Sequence, residues 1–163
     1  MGRVFRLVAA AGLGLTGVWL GAAAVLAAGN PDRQPSPTPP DITAQFCGPG
    51  LGDITGHVTV NREYVKTFVD RDGVVRQMIE GYQQDVFTVI ATGKSISFNA
   101  SGPAVLTFYP NGDIVFVLLG RTLFGDPVNG SLVLYTGLVN FDPTTGTVAS
   151  HEGGATDLCT LLS

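Results

Sequence analysis

The sequence predicts an all-β domain in which about eight strands form an antiparallel meander. Clusters of glycine, asparagine, aspartate and proline recur between residues 55 and 150, and their Asn-Gly and Asp-Gly pairs supply the positive φ angles of tight hairpins. Between these clusters lie runs rich in β-branched and aromatic residues, with no long helical stretch among them. The predicted strands cover residues 55–61, 63–70, 74–80, 84–91, 95–100, 104–109, 113–120 and 131–141, with a shorter ninth over 147–152.

The clearest hairpin surrounds Asn111 and Gly112, between strands at 104–109 and 114–119. The second of these strands is apolar on both faces, so both of its sides are expected to be covered. About eight such strands can close into a β-barrel whose interior is filled or holds one small ligand. A two-sheet β-sandwich is the alternative architecture.

Residues outside the central strands carry two further structural predictions. The strand over 131–141 is also apolar on both faces, and Gly137 within it predicts a bulge or a bend. Leucines at 158, 161 and 162 predict a short helical turn over 155–162 that packs inward.

The first 28 residues have the pattern of a secretory signal peptide. Arg3 and Arg6 precede an uncharged stretch over 7–28, and small residues near its end suit cleavage after Ala24, Ala27 or Ala28. No Arg-Arg pair precedes the apolar run, which favours the general secretory route and a secreted protein. The alternative is an uncleaved N-terminal membrane anchor, since 22 uncharged residues can span about 30 Å of hydrocarbon.

Residues 29–46 are expected to form a disordered, proline-rich spacer, and residues 47–163 a single β domain. The two cysteines, Cys47 and Cys159, lie at opposite ends of this domain. In an oxidising compartment such a pair predicts a disulfide, and neither cysteine belongs to a C-x-x-C motif or has a neighbouring histidine that would indicate a redox or metal site.

Charge excludes some partners. Two of nine basic residues leave with the signal peptide, so seven basic residues face thirteen acidic ones and the mature net charge is −6. Nucleic acids and anionic membranes bind through clustered Lys and Arg, so we expect neither nucleic acid nor, after cleavage, a membrane as a partner. Nothing in the sequence defines the oligomeric state.

Candidates for catalysis are few. We find no catalytic, cofactor-binding or metal-ligating motif; the stretch around Gly93-Lys94 lacks the first glycine of a phosphate loop, and Glu80 and Asp85 alone do not define a glycosidase pair. His57 and Asn61 share one strand face by alternation and, with Glu80, are the candidates to line a pocket.

Three stretches resemble a group of uncharacterised exported proteins of high-GC Gram-positive bacteria: GKSISFNASGP at 93–103, DPVNGSLVLYTG at 126–137 and ATDLC at 155–159. The resemblance implies bacterial secretion and carries no known activity. The strand pattern is also similar in architecture to eight-stranded barrels such as lipocalins and allene oxide cyclase, a likeness that does not transfer function.

We therefore expect an exported, non-enzymatic β-barrel that needs no cofactor and binds a small apolar ligand or a surface partner. The alternative is a small secreted enzyme, an isomerase, cyclase or hydrolase, with its site inside the barrel. That alternative requires polar side chains such as His57 or Glu80 to point into an apolar interior.

Overall fold

A computed structural model describes residues 33–163 of the chain. The predicted signal peptide and its cleavage sites lie outside these residues, as do residues 29–32 of the spacer. Nine strands and one short helix form the domain, and the strands are β1 (Gln34–Pro35), β2 (Ile42–Ala44), β3 (Ile54–Val69), β4 (Val75–Val89), β5 (Ser95–Asn99), β6 (Ala104–Phe108), β7 (Ile114–Asp126), β8 (Ser131–Asp142) and β9 (Thr147–Asp157). The helix is α1 (Leu158–Leu162).

All nine strands belong to one antiparallel sheet, which confirms the all-β antiparallel meander. The strand order is β1-β3-β4-β6-β7-β8-β9, while β2 pairs with β3 and β5 pairs with β4. Within residues 33–163, β9 pairs only with β8 and β1 only with β3, so hydrogen bonding does not close the sheet. Closure into a barrel is therefore not confirmed, and a single sheet takes the place of the two-sheet alternative.

Several predicted strands merge into longer ones. The predicted segments 55–61 and 63–70 merge into β3, which ends at Val69, and 74–80 and 84–91 merge into β4, which runs from Val75 to Val89. The gaps between the predicted segments, at Arg62 and at residues 81–83, form no turns. Arg62 pairs with Tyr82, and Gln83 pairs with Asn61, across the two strands. The hairpin at Asn111-Gly112 forms as predicted, with Phe108 paired to Ile114.

The proline-rich segment contributes structure where disorder was expected. Residues 33–41, here called the N-terminal strap, contain β1, in which Pro35 pairs with Tyr64 of β3. Proline lacks an N–H and is tolerated on an edge strand such as this one. The strap is also held by side chains, because Asn61 Nδ2 donates to the Ser36 carbonyl oxygen at 3.1 Å.

A row of glycines bends the sheet. Gly120, Gly137 and Gly153 are paired directly across β7, β8 and β9, and their φ values are 99°, 117° and 125°. A Cβ atom at Gly137 would lie 2.1 Å from the Glu152 carbonyl oxygen, so neighbouring backbones approach too closely for any side chain. The pairing of β8 with β7 and β9 runs through Gly137 without a register shift, so no bulge forms there. Phe124 and Phe141 lie on opposite sides of the glycine row and still stack with ring centroids 5.3 Å apart, so the bend is present.

The sheet coils around two apolar clusters. The first cluster joins β3, β4 and β5 to β7, β8 and α1, through side chains that include Ile54, Phe87 and Leu132. Because β3 and β8 are far apart in the strand order, this contact requires the sheet to curl. The second cluster includes Ile79, Phe116 and others from β4, β6, β7 and β8.

The C-terminal helical turn forms over Leu158–Leu162, with Leu158 and Leu162 buried and Leu161 exposed. Asp157 caps it, since its Oδ1 accepts from the Cys159 amide at 2.8 Å. Cys47 and Cys159 are joined with their Cα atoms 5.3 Å apart, as the sequence predicts. The bond ties the loop after β2 to α1.

One expectation about β7 is wrong. Phe116 and Leu118 are buried, but Val115 is 44% exposed and Leu119 39% exposed on the opposite face. Within the described residues, that face of β7 is therefore uncovered at Val115 and Leu119. Further along the strand both faces are covered, since Leu123 is buried in the first cluster and Phe124 in the second.

Candidate functional site

The inner face of the sheet carries a polar cluster between its two apolar clusters. Along β4, alternate residues face inward, and they run from Ile79 through Gly81, Gln83 and Asp85 to Phe87. Ile79 belongs to the second apolar cluster and Phe87 to the first. Gln83 and Asp85 therefore interrupt an otherwise apolar row, and both are at least 97% buried.

A β-bulge in β3 brings further polar residues to the same face. The pairing with β4 shifts between Val58 and Val60, which leaves one extra residue in β3. An extra residue reverses the alternation of the strand that follows it. Even-numbered residues 54, 56 and 58 therefore face inward before the bulge, and odd-numbered residues 61 and 63 face inward after it. Asn61 is accordingly paired with Gln83, and Glu63 with Gly81.

The bulge corrects the predicted row of His57 and Asn61. Alternation alone places the two residues on one face, but the extra residue puts them on opposite faces. His57 lies outside, with its side chain 55% exposed and its Nδ1 2.5 Å from Asp41 Oδ1 of the strap. Asn61 lies inside, where its Oδ1 accepts from the Glu63 amide at 3.0 Å.

Glu80 also lies on the outer face. Its carboxylate contacts Lys66 Nζ at 2.8 Å and is 35% exposed. The side-chain hydrogen bond from Lys66, together with its charge, lowers the pKa of Glu80. Glu80 and Asp85, considered in the sequence as a carboxylate pair, stand on opposite faces of β4. The structure thus brings only Asn61 of the three pocket candidates to the inner face.

Sequence reasoning missed Ser36, Glu63 and Gln83, and it considered Asp85 only as a partner of Glu80. These four residues and Asn61 form what we call the buried polar cluster. Ser36 lies on the strap, and its amide donates to the Glu63 carbonyl oxygen at 2.9 Å. Directly opposed residues of adjacent strands share a face, so the Ser36 side chain points inward beside Glu63. Ser36 is 8% exposed and Glu63 2% exposed.

Gln83 and Asp85 are bonded to each other. Gln83 Nε2 lies 3.0 and 3.1 Å from the two carboxylate oxygens of Asp85, to which it donates. The backbone amide of Gln83 donates to Ser101 Oγ at 2.8 Å. Asp85 is therefore partnered, and Gln83 is held in a fixed orientation.

Four buried oxygens in this cluster have no hydrogen-bond partner: Ser36 Oγ, Glu63 Oε1, Glu63 Oε2 and Gln83 Oε1. Buried polar groups are normally hydrogen-bonded, and leaving one unsatisfied costs about 1–3 kcal/mol. Four such atoms on the strap, β3 and β4 are therefore an unusual concentration of acceptors without a donor.

Burial changes the acidity of both carboxyls. It raises the pKa of Glu63 to about 7, and the charge of Asp85 adds to this effect. It raises the pKa of Asp85 to about 6, against the opposing hydrogen bond from Gln83. A carboxyl with a pKa near 7 can hold or release a proton at neutral pH, which is the property of a general acid or base.

Within residues 33–163, no group of three or more His, Cys, Asp or Glu side chains could hold a metal ion. None of the helices in the same range is long and apolar enough to span a bilayer. Comparisons of the chain with models of protein families, with curated proteins and with solved structures gave no match.

Proposed function

We propose that this protein is an exported, non-enzymatic binding protein that holds a small, mainly apolar molecule on the inner face of its coiled sheet. The observation that supports this most directly is the set of four unpartnered oxygens in the buried polar cluster. A bound molecule that donates hydrogen bonds to them would remove their desolvation cost.

The surroundings of the cluster suit such a molecule. Binding sites for small molecules are mostly apolar, with a few placed polar groups that fix orientation. On β4, Ile79 lies on one side of the polar residues and Phe87 on the other, and each belongs to a large apolar cluster. The polar cluster would orient the ligand while the apolar side chains contact most of its surface.

Export and barrel closure belong to the same proposal. A disulfide between Cys47 and Cys159 is compatible with an oxidising compartment outside the cytoplasm, to which the N-terminal sequence would direct the chain. We further propose that the coiled sheet acts as an incomplete barrel around the ligand. The disulfide and α1 would keep its curl fixed.

Native mass spectrometry of protein recovered from the medium of an exporting host tests the proposal. We expect a non-covalent adduct of small mass that organic extraction removes. Glu63→Gln should reduce the occupied fraction, while Glu80→Gln, which changes an acid on the outer face, should leave it unchanged. Protein without an adduct in every preparation would remove the small-molecule proposal and leave a surface partner on the uncovered face around Val115 and Leu119.

A second candidate function is a small enzyme with the buried polar cluster as its site. The observation that favours it is the pKa of about 7 at Glu63, next to Asp85 with a pKa of about 6. Two buried acids with different pKa values suit proton transfer, as in an isomerase, cyclase or hydrolase. Conversion, rather than retention, of the extracted molecule by fresh protein would support the enzyme, and loss of conversion in Glu63→Gln would assign the acid.

A further inference from the structure

We infer that the ligand of the buried polar cluster carries a protonated amine, attached to an apolar body. This inference rests on the proposed binding function and names the chemical class of the molecule bound. It follows from the kind of atoms left unpartnered, from the charge of the cluster and from the arrangement of its neighbours.

The unpartnered buried side-chain atoms of the described residues are all oxygens, and no nitrogen is among them. The Gln83 oxygen is an acceptor only, and so are both Glu63 oxygens when Glu63 is ionised. A complementary ligand group must therefore donate several hydrogen bonds and need not accept any. A primary ammonium has three donors and no acceptor, whereas a hydroxyl has one donor and two lone pairs of its own.

Charge points to the same group. Glu63 and Asp85 place two acids on the inner face, and the charge of Asp85 disfavours ionisation of Glu63. The nearby cations Lys66 and Arg33 contact Glu80 on the outer face, at 2.8 and 3.8 Å. A bound cation would therefore supply the positive charge that the inner face lacks.

Glu63 is paired on β4 with Gly81, which has no side chain. A Cβ atom there would lie 2.3 Å from the Arg62 carbonyl oxygen, so only glycine fits. Ser36 lies on the other side of Glu63, on the strap. An ammonium bound to the Glu63 carboxylate would have Ser36 Oγ and Gln83 Oε1 as its neighbouring acceptors. Ile79, next to Gly81 in the inward row of β4, would contact an alkyl chain.

Isothermal titration calorimetry of the exported protein at pH 7, after organic extraction, separates the alternatives with three probes. Hexylamine presents an ammonium, 1-hexanol a hydroxyl, and hexyltrimethylammonium a cation without donors. We expect hexylamine to bind at least tenfold more tightly than either of the others. Glu63→Gln should weaken hexylamine binding at least tenfold and Ser36→Ala a few-fold, and Glu80→Gln should have no effect.

Circular dichroism of each variant establishes that it is folded, and Ser36→Ala keeps the test available if Glu63→Gln is not. Equal binding of hexylamine and 1-hexanol would overturn the amine inference while the proposed binding function stands. Tighter binding of hexyltrimethylammonium would overturn it too, because donors would then be unnecessary. If no probe binds but the unextracted protein carries an adduct, the inference fails alone; if there is no adduct either, the proposed function fails with it.

Discussion

Ser36 lies directly opposite Glu63 across the pairing of the strap with β3, and its amide donates to the Glu63 carbonyl oxygen at 2.9 Å. The two side chains consequently share the inner face, and both end in oxygens without a partner. A segment that the sequence predicts to be a disordered spacer thus completes the buried polar cluster. The cluster depends on the strap for its burial as well as on β3 and β4.

The raised pKa of Glu63 makes stability depend on pH. The folded protein keeps the Glu63 proton up to about pH 7, while the unfolded chain releases it near the ordinary value of 4.5. Stability is therefore full below about pH 4.5 and falls as pH rises towards 7, by about 3 kcal/mol for this group. Glu63→Gln removes this loss, so we expect urea denaturation to show the variant gaining stability relative to the native protein between pH 4.5 and 8.

Glu80→Gln is the matched control for this experiment. The pKa of Glu80 is lowered by Lys66, so its contribution has the opposite sign and is lost as pH falls through the folded pKa. We expect no gain from Glu80→Gln at high pH. Parallel pH profiles for native protein and Glu63→Gln would show that Glu63 is ionised and solvated in the folded state.

The glycine row should tolerate no side chain. Gly137→Ala places a Cβ atom 2.1 Å from the Glu152 carbonyl oxygen at a residue with φ of 117°, so both the contact and the backbone are strained. We expect the free energy of unfolding to fall by more than about 2 kcal/mol. Gly50→Ala, where nothing lies within 4 Å of the new atom, should change it by less than about 0.5 kcal/mol. Equal effects at the two positions would mean that the bend is not needed.

The disulfide should contribute strongly because it closes a long loop. Cys47 and Cys159 are 112 residues apart, and loss of a native disulfide in a small secreted domain costs about 2–5 kcal/mol. We expect the double variant Cys47→Ser/Cys159→Ser to melt at a lower temperature than the native protein under non-reducing conditions. With reductant present, the native protein should approach the variant. Two free thiols in protein exported by its own host would contradict the pairing.

The strands and the disulfide could be predicted from the sequence because their signals are local or because the cysteine count leaves one pairing. The hairpin at Asn111-Gly112 is defined by turn residues between β-branched runs, and it forms as expected. The length of β3 and β4 could not be predicted, because charged and amide residues within a strand look like a turn when their burial is unknown. Arg62 and Gln83 are such residues, and both fall in the gaps between the predicted strands.

The buried polar cluster had one usable signal. The residues of β4 face inward and outward in turn, without a bulge, from Ile79 to Phe87. The inward positions of Gln83 and Asp85 therefore follow from those of Ile79 and Phe87. The position of Asn61 could not be derived by alternation, since one extra residue between Val58 and Val60 reverses the face of all that follow. Ser36 joins the cluster because the strap pairs with β3. The proline content of the strap argues against such a pairing, so the position of Ser36 could not be predicted.

Asn61 is the residue that connects the strap to the cluster, and its removal should release the strap. Its Nδ2 donates to the Ser36 carbonyl oxygen at 3.1 Å, and its Oδ1 accepts from the Glu63 amide at 3.0 Å. We expect Asn61→Ala to destabilise the domain by about 1–2 kcal/mol and to accelerate hydrogen exchange at the Ser36 amide. Asn140→Ala, which removes a side-chain hydrogen bond to Ser150 between β8 and β9, should leave that amide protected. Unchanged exchange at the Ser36 amide in Asn61→Ala would show that the backbone pairing alone holds the strap.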